Sequence, residues 1–220
     1  MINLSKYNII DISMKLDNDM LSWPGDRHIF RHNYAMKIES GGHANVSRVE
    51  TSMHTGTHID APFHKINSGK KLNEMPVENF MGLAQVIDLT SVNKMIYLDD
   101  IKNKLKKNTE IALIKTKNSD LLQVREFQEN YTCLNIEAAQ YLSEKGLKAV
   151  CVDYLSIDKF HAKEPINHNI FLKKNIIIYE AVDLSNVKEG EYFFIGLPIK
   201  LNKADGALAR ALLLQEKQLI

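Results

Sequence analysis

Cysteine is scarce. Only Cys133 and Cys151 occur among the 220 residues, and they do not form a Cys-x-x-Cys pair. Both sit in apolar surroundings, so they read as buried thiols in a reducing cytoplasm rather than as a disulfide framework. Excess charge of one sign is also missing. With 28 Lys and Arg against 27 Asp and Glu, the formal net charge is +1. No strong field exists to draw in nucleic acid or an anionic membrane. The densest basic run, "IKNKLKKN" at 101–108, reads as a solvated helix face. No apolar run approaches the roughly 18 residues of a membrane span. The first residues, "MINLSKYNIIDISMKLD", lack the apolar stretch and small-residue cleavage site of a signal peptide. Internal repeats, low-complexity segments and linkers are likewise not found.

What is present suits a globular chain. The composition is 45% apolar and 25% charged, ordinary values for such a protein. The length can bury a sizeable core without staples, and residues 1–220 read as one domain. "YNIIDISMKL" is rich in β-branched residues and predicts a strand. "SWPGD" at 22–26 predicts a turn. "HANVSRVETSMHTGTHID" alternates apolar and polar positions and predicts a strand running into a histidine cluster. "AQVIDLT" at 84–90 and "EIALIKT" at 110–116 predict two short strands, with helical spacing in "YLDDIKNKLKKN" between them. "NIEAAQYLSEKGLKAVCVDYLSID" predicts a helix, capped by Asn135 and closed at Gly146, and then a strand. "NIIIYEAVDL" predicts an interior strand, and "FFIGLPIKL" with "ARALLLQEK" a closing pair. Many strands with two or three helices predict an α/β fold with a mixed sheet.

The cluster itself carries the chemistry. "HTGTHIDAPFH" places His54, His58, Asp60 and His64 within eleven positions of a chain that has eight histidines. A helical His-x-x-x-His zinc site is disfavoured. Thr55, Gly56 and Thr57 are poor helix formers, Pro62 blocks continuation, and no glutamate follows His54. In an extended stretch His54, His58 and Asp60 share parity and face one side. Gly56 would let the backbone pass close to a metal, and Pro62 would stiffen the exit. Two imidazoles and a carboxylate leave open positions, the layout of a catalytic Zn²⁺ site, with Mn²⁺ or Fe²⁺ as alternatives. Such a metal lowers the pKa of a water and polarises a carbonyl. Asp60 has two oxygens and can bridge two metals. His64 reads as a ligand or as a free imidazole with a pKa near neutral, suited to proton transfer. Glu180 inside "IIIYEAV" would be costly to bury unless paired or ligating.

"HTGTHIDAPFH" resembles the His-x-Gly-Thr-His-x-Asp-x-Pro-x-His signature of the cyclase family, which includes bacterial kynurenine formamidases, isatin hydrolases and proteins labelled polyketide cyclases. "SWPGD", "DYLSID", "HNIFLKKNIIIYEAVDL" and "GLPIKLNKADGALARALLL" resemble further family segments in the same order. The resemblance therefore spans nearly the whole chain. In the last segment Ala207-Leu208 replaces the usual Ser-Pro.

The resemblance implies a swivelling β/β/α fold and metal ligation by His54, His58 and Asp60. It also implies a second metal on His168, with Glu180 twelve residues on; His161 is the competitor for the His168 role. His64 becomes the acid/base, and Trp23, the single tryptophan, a substrate-ring contact. The cofactor implied is Zn²⁺, one or two per subunit, with Mn²⁺ as the alternative. The implied reaction is hydrolysis of an aryl formamide such as N-formylkynurenine, as in tryptophan catabolism by the kynurenine pathway. Isatin or another cyclic amide or ester is the alternative substrate. The implied assembly is a homodimer or homotetramer whose neighbouring subunit borders the site. A metal-binding protein without catalysis is the reading from another class, and His64 beside an open coordination position counts against it. His28, His32 and His43 lack partners in the pattern and are expected on the surface.

Overall fold

A computed structural model describes residues 3–25 and 30–217. His28 and Asp26 lie outside the described residues. The strands are β1 (Tyr7–Asp11), β2 (Arg31–Met36), β3 (Val46–Glu50), β4 (His58–Asp60), β5 (Met81–Asp88), β6 (Met95–Ile96), β7 (Ile111–Lys115), β8 (Cys133–Leu134), β9 (Ala149–Val152), β10 (Ile177–Glu180), β11 (Gly190–Pro198) and β12 (Gly206–Glu216). Four short α-helices accompany them among the described residues: α1 (Leu98–Ile101), α2 (Asn118–Leu121), α3 (Ile136–Ser143) and α4 (Ile166–Leu172). The fold is α/β with a mixed sheet, as expected.

Eight strands form the main sheet, in the order β1-β12-β11-β5-β7-β9-β10-β4, and β4 also pairs with β12. That extra pairing closes the sheet into a barrel. Strand β12 is long enough to do this. It runs beside β11 along one edge, and along the other it meets β4 through Gly206–Leu208 and β1 through Leu212–Glu216. Strands β5, β7, β9 and β10 are parallel neighbours. Three of them, β7, β9 and β10, are apolar almost throughout because both of their faces are covered.

The two-residue period divides their side chains between two cores. Ile111, Leu113, Ala149, Cys151, Ile177 and Tyr179 fill the barrel with Ile59, Phe194 and Leu213. Ala112, Ile114, Val150, Val152 and Ile178 point outward, against Ala138, Ala139 and Leu142 of α3 and Phe171 and Leu172 of α4. Helix α3 begins where the sequence predicts, with the Asn135 side chain accepting from Ala138 N at 2.8 Å. Gly146, at φ +74, follows its end. The helical stretch after Tyr97 is shorter than its spacing suggests and reaches only Ile101.

One expectation fails. The strand predicted through "HANVSRVETSMHTGTHID" is broken. β3 ends at Glu50, residues 51–57 bend, and β4 starts at His58. The cause is Gly56, whose φ of +57 turns the chain out of the extended region. A Cβ there would stand 2.3 Å from Leu16 Cδ2, so Gly56 serves a turn packed on Leu16. β3 instead pairs with β2 in a separate two-stranded hairpin.

Candidate metal centre

Strand β4 lies between β10 and β12, and the register sets the site. Glu180 is opposite His58, and Ile178 is opposite Asp60. Ile59 points into the barrel core, so His58 and Asp60 must point outward, to the side where Glu180 and α4 lie. Helix α4 starts after Pro165 and brings in His168. His54 arrives differently from the expectation, through the bend after β3 rather than by strand parity, and its ring centroid stands 5.2 Å from that of His58. His64 closes the single turn Pro62–His64 just after β4. Its ring lies 3.9 Å from that of His54.

Each of the three clustered imidazoles has one nitrogen tied down and the other turned inward. His58 Nδ1 donates to Gly56 O at 2.8 Å. His168 Nδ1 donates to Asp158 Oδ2 at 2.6 Å. His54 Nε2 donates to Asp205 Oδ2 at 2.8 Å. The opposite nitrogens face two carboxylates. Asp60 Oδ1 lies 2.7 Å from His54 Nδ1 and 3.5 Å from His58 Nε2, and its Oδ2 lies 3.2 Å from His168 Nε2. Glu180 Oε2 lies 3.5 Å from His58 Nε2, and Oε1 lies 3.4 Å from His168 Nε2. Both carboxylates thus divide their oxygens between a His54/His58 side and a His168 side.

The donor set fits bound cations. His58 Nε2 and Asp60 Oδ2 are buried and have no hydrogen-bond partner. Orphaned buried polar atoms are costly. The contact of Asp60 Oδ2 with His168 Nε2 is close but not aligned as a hydrogen bond. Atoms placed in this way suit an ion held between them better than a shared proton.

Charge across the cluster is partitioned sharply. Burial works against the Asp60 carboxylate, but the His168, His54 and His58 rings outweigh it and hold Asp60 well below the ordinary carboxylate range. Burial would lower His54, yet hydrogen bonds to Asp205 and Asp60 push it up to about 10. His168 is raised in the same way, against burial, by Asp158, Asp60 and Glu180. His64 goes the other way. Burial, helped by positive charge on His54, Lys65 and His168, outweighs the pull of Asp60 and brings it down to about 4. The expectation of a near-neutral His64 is corrected by that burial; the ring is unprotonated at neutral pH.

A cavity of about 490 Å³ opens onto this cluster. It is lined by His54, His58, His64, His168 and Glu180 together with Trp23, Pro24, Lys65 and Leu155. Trp23 is half-buried and packs edge-on against Phe127 and Phe160, with centroids 5.2 and 5.3 Å away. Every residue that the sequence assigned to the site therefore meets the others at one place. His161 does not join them. It is exposed and pairs with Glu129 at 3.1 Å. His43 is exposed, and His32 lies against Ser47 Oγ at 3.0 Å. Sequence reasoning gave no role to Asp158 and Asp205, the carboxylates behind His168 and His54.

The family model described as "Putative cyclase" matches residues 10–159. The chain belongs to the cyclase family. A kynurenine formamidase of Bacillus cereus is 37% identical over 204 residues, covering 93% of this chain and 96% of the relative. A solved structure titled as a potential metal-dependent hydrolase with cyclase activity superposes with a TM-score of 0.83 at 29% identity, covering 96% of this chain and 100% of that one. Isatin hydrolase A from Ralstonia solanacearum shares the fold, with a TM-score of 0.83 at 19% identity over 96% of this chain and 93% of its own. Among the described residues of this cyclase-family chain, no helix is long and apolar enough to cross a membrane.

Proposed function

We propose that this chain is a metal-dependent amidohydrolase that cleaves an aryl formamide, with N-formylkynurenine as substrate and kynurenine and formate as products. The observation that carries the reading is the pair of two-sided carboxylates among three oriented imidazoles, beside a cavity that also holds His64 and Trp23. The kynurenine formamidase relatives supply the substrate class.

In this reading His54, His58, Asp60 and Glu180 would hold one metal, and Asp60, Glu180 and His168 a second. Zinc is the proposed ion, one or two per subunit, with manganese the alternative. When bound, the ions supply Lewis acidity at the scissile carbonyl and make water easier to deprotonate. The chain supplies the rest. His64, unprotonated at neutral pH, takes a proton from the attacking water and returns it to the nitrogen that leaves as the arylamine. Trp23, stiffened by Phe127 and Phe160, borders the aryl ring. Gly56 O, Asp158 and Asp205 keep the imidazoles turned inward, so little reorganisation is needed during the reaction. Residues 1–220 act as one domain in a homodimer or homotetramer, in the cytoplasm. The single barrel and the two buried free thiols support the domain and compartment readings.

The test is to purify the protein without chelator, count metals per chain by elemental analysis, and assay the sample on N-formylkynurenine beside isatin. One or two metals with formamidase turnover are expected. Turnover of isatin alone would move the substrate to a cyclic amide. No metal, even after reconstitution, would sink the site.

A further inference from the structure

The segment at the start of β12 is built around His54. Asp205 N–H and C=O belong to the backbone that enters β12, and its carbonyl accepts from Ala61 N at 2.9 Å. That bond fixes Asp205 to the residue next to Asp60. The following residue, Gly206, sits opposite Asp60 in the β12–β4 ladder. A Cβ on Gly206 would lie 2.4 Å from Ile59 O and 2.9 Å from His54 Cε1. A side chain at 206 would therefore collide with the His54 ring and the β4 backbone.

The Asp205 carboxylate uses this approach twice. Oδ2 is 2.8 Å from His54 Nε2, and the same oxygen is 3.5 Å from His64 Nδ1. Among the described residues, no other carboxylate pairs with both of these rings on the side that faces away from Asp60 and Glu180. Its side chain is 42% exposed, so the fold does not depend on burying it. His58 and His168 have their own separate acceptors in Gly56 O and Asp158.

We propose that Asp205 is a positioning residue that sets the geometry of two imidazoles together. It keeps the proton on His54 Nε2, so that Nδ1 is the atom turned towards Asp60, and the same oxygen, 3.5 Å from His64 Nδ1, sets that ring's place beside His54. A carboxylate only accepts hydrogen bonds, so His54 must donate from Nε2. A metal that displaces the Nδ1 proton would leave that bond in place. This inference rests on the proposed metal-dependent reaction, but half of its test does not.

The experiment compares Asp205→Ala and Asp205→Asn with the parent chain. The first readout is zinc affinity of the metal-free proteins, by competition with a chromogenic chelator. Asp205→Ala is expected to bind zinc roughly 10–100-fold more weakly. Asp205→Asn, which keeps an oxygen able to accept from His54 Nε2, should recover most of that affinity. The second readout is steady-state kinetics at saturating metal on N-formylkynurenine. There Asp205→Ala should lower kcat about tenfold or more, with KM changed less than about threefold, the pattern of a lost transition-state interaction. Asp205→Asn should recover only part of it, because an amide oxygen is a weaker acceptor for a ring N–H than a carboxylate. Thermal melts of the metal-free variants check folding, and the exposed side chain predicts little change. Zinc affinity of Asp205→Ala indistinguishable from the parent's would overturn the His54 half. An unchanged kcat would overturn the His64 half. If the parent shows no turnover on N-formylkynurenine, the proposed function fails by that result, while the affinity comparison still decides the His54 half.

Discussion

Metal binding should release at least one proton per chain at neutral pH. His54 donates from both nitrogens, to Asp60 and to Asp205, and its pKa rises to about 10. His168 is raised well above its ordinary value by Asp158, Asp60 and Glu180. His54 is therefore a cation at neutral pH and His168 is shifted towards one, so a metal that takes His54 Nδ1 and His168 Nε2 competes with protons there. His64, brought down to about 4, has no proton to lose. Each displaced proton makes the apparent binding free energy change by about 1.4 kcal/mol per pH unit. The His54 proton alone should strengthen zinc affinity roughly tenfold for each unit between about pH 7 and 9, and proton loss from His168 steepens that slope. Above about 10 the slope should fall, because His54 is then already neutral. The same sign governs stability without metal. A raised histidine pKa stabilises fully below the unfolded value of 6.5 and loses that contribution as pH rises through about 10. Hence the His54 contribution makes the metal-free protein less stable across that window while metal binding tightens. Calorimetric zinc titrations in buffers of different ionisation enthalpy count the protons directly. Release near zero at neutral pH would refute the reasoning, since the two rings would then be neutral before metal arrives.

Replacing His64 with alanine should lower kcat about 10²–10⁴-fold and leave the metal count unchanged; loss of metal would instead make His64 a ligand, as its place near His54 and Asp60 allows. Trp23→Leu should raise KM for an aryl formamide about 2–10-fold, the size of one aromatic contact, without changing metal content; an unaltered KM would remove Trp23 from the substrate's surroundings. Gly206→Ala places a methyl against Ile59 O and the His54 ring, and overpacking against a backbone should cost about 1–3 kcal/mol in denaturant unfolding and weaken zinc binding as well. Asp153 is buried and accepts from the backbone N–H and hydroxyl groups of both Thr116 and Ser119, so Asp153→Ala should cost about 2–4 kcal/mol with the metal count retained once the protein is folded.

The barrel strands were legible because their side chains sort by burial alone. "IALIK", "AVCV" and "IIYE" are buried almost throughout, and no surface demand interrupts the apolar pattern. The closing pair β11 and β12 was legible for a similar reason. Helix α4 was not. It has seven residues, two of them asparagine and one the histidine of the site, too few to show a period. Hairpin β2–β3 left only half a trace, since β3 is exposed along its whole length and nothing selects one of its faces. The histidine spacing pointed to one cluster, and the side chains do converge, but strand parity accounts for only part of that convergence. It holds for His58 and Asp60, which share a strand, and fails for His54, which a left-handed glycine carries back to them.

Asp158 and Asp205 mark where sequence reasoning runs out in principle. Asp158 is ten residues from His168, and Asp205 is 151 residues from His54. An orienting carboxylate needs only to be somewhere within hydrogen-bond reach, so its spacing carries no chemical signature. Ligands are different, because several of them must converge on one point and a short segment can supply most of them at once. Here one eleven-residue stretch supplies three of the proposed ligands, His54, His58 and Asp60, while the other two, Glu180 and His168, come from a neighbouring strand and the helix before it. The closure of the barrel through β4 and β12 then delivers Asp205 to the rear of His54. The topology that completes the sheet therefore also delivers the Asp205 carboxylate to the first imidazole, so substitutions of that exposed side chain should report on metal binding before they report on the fold.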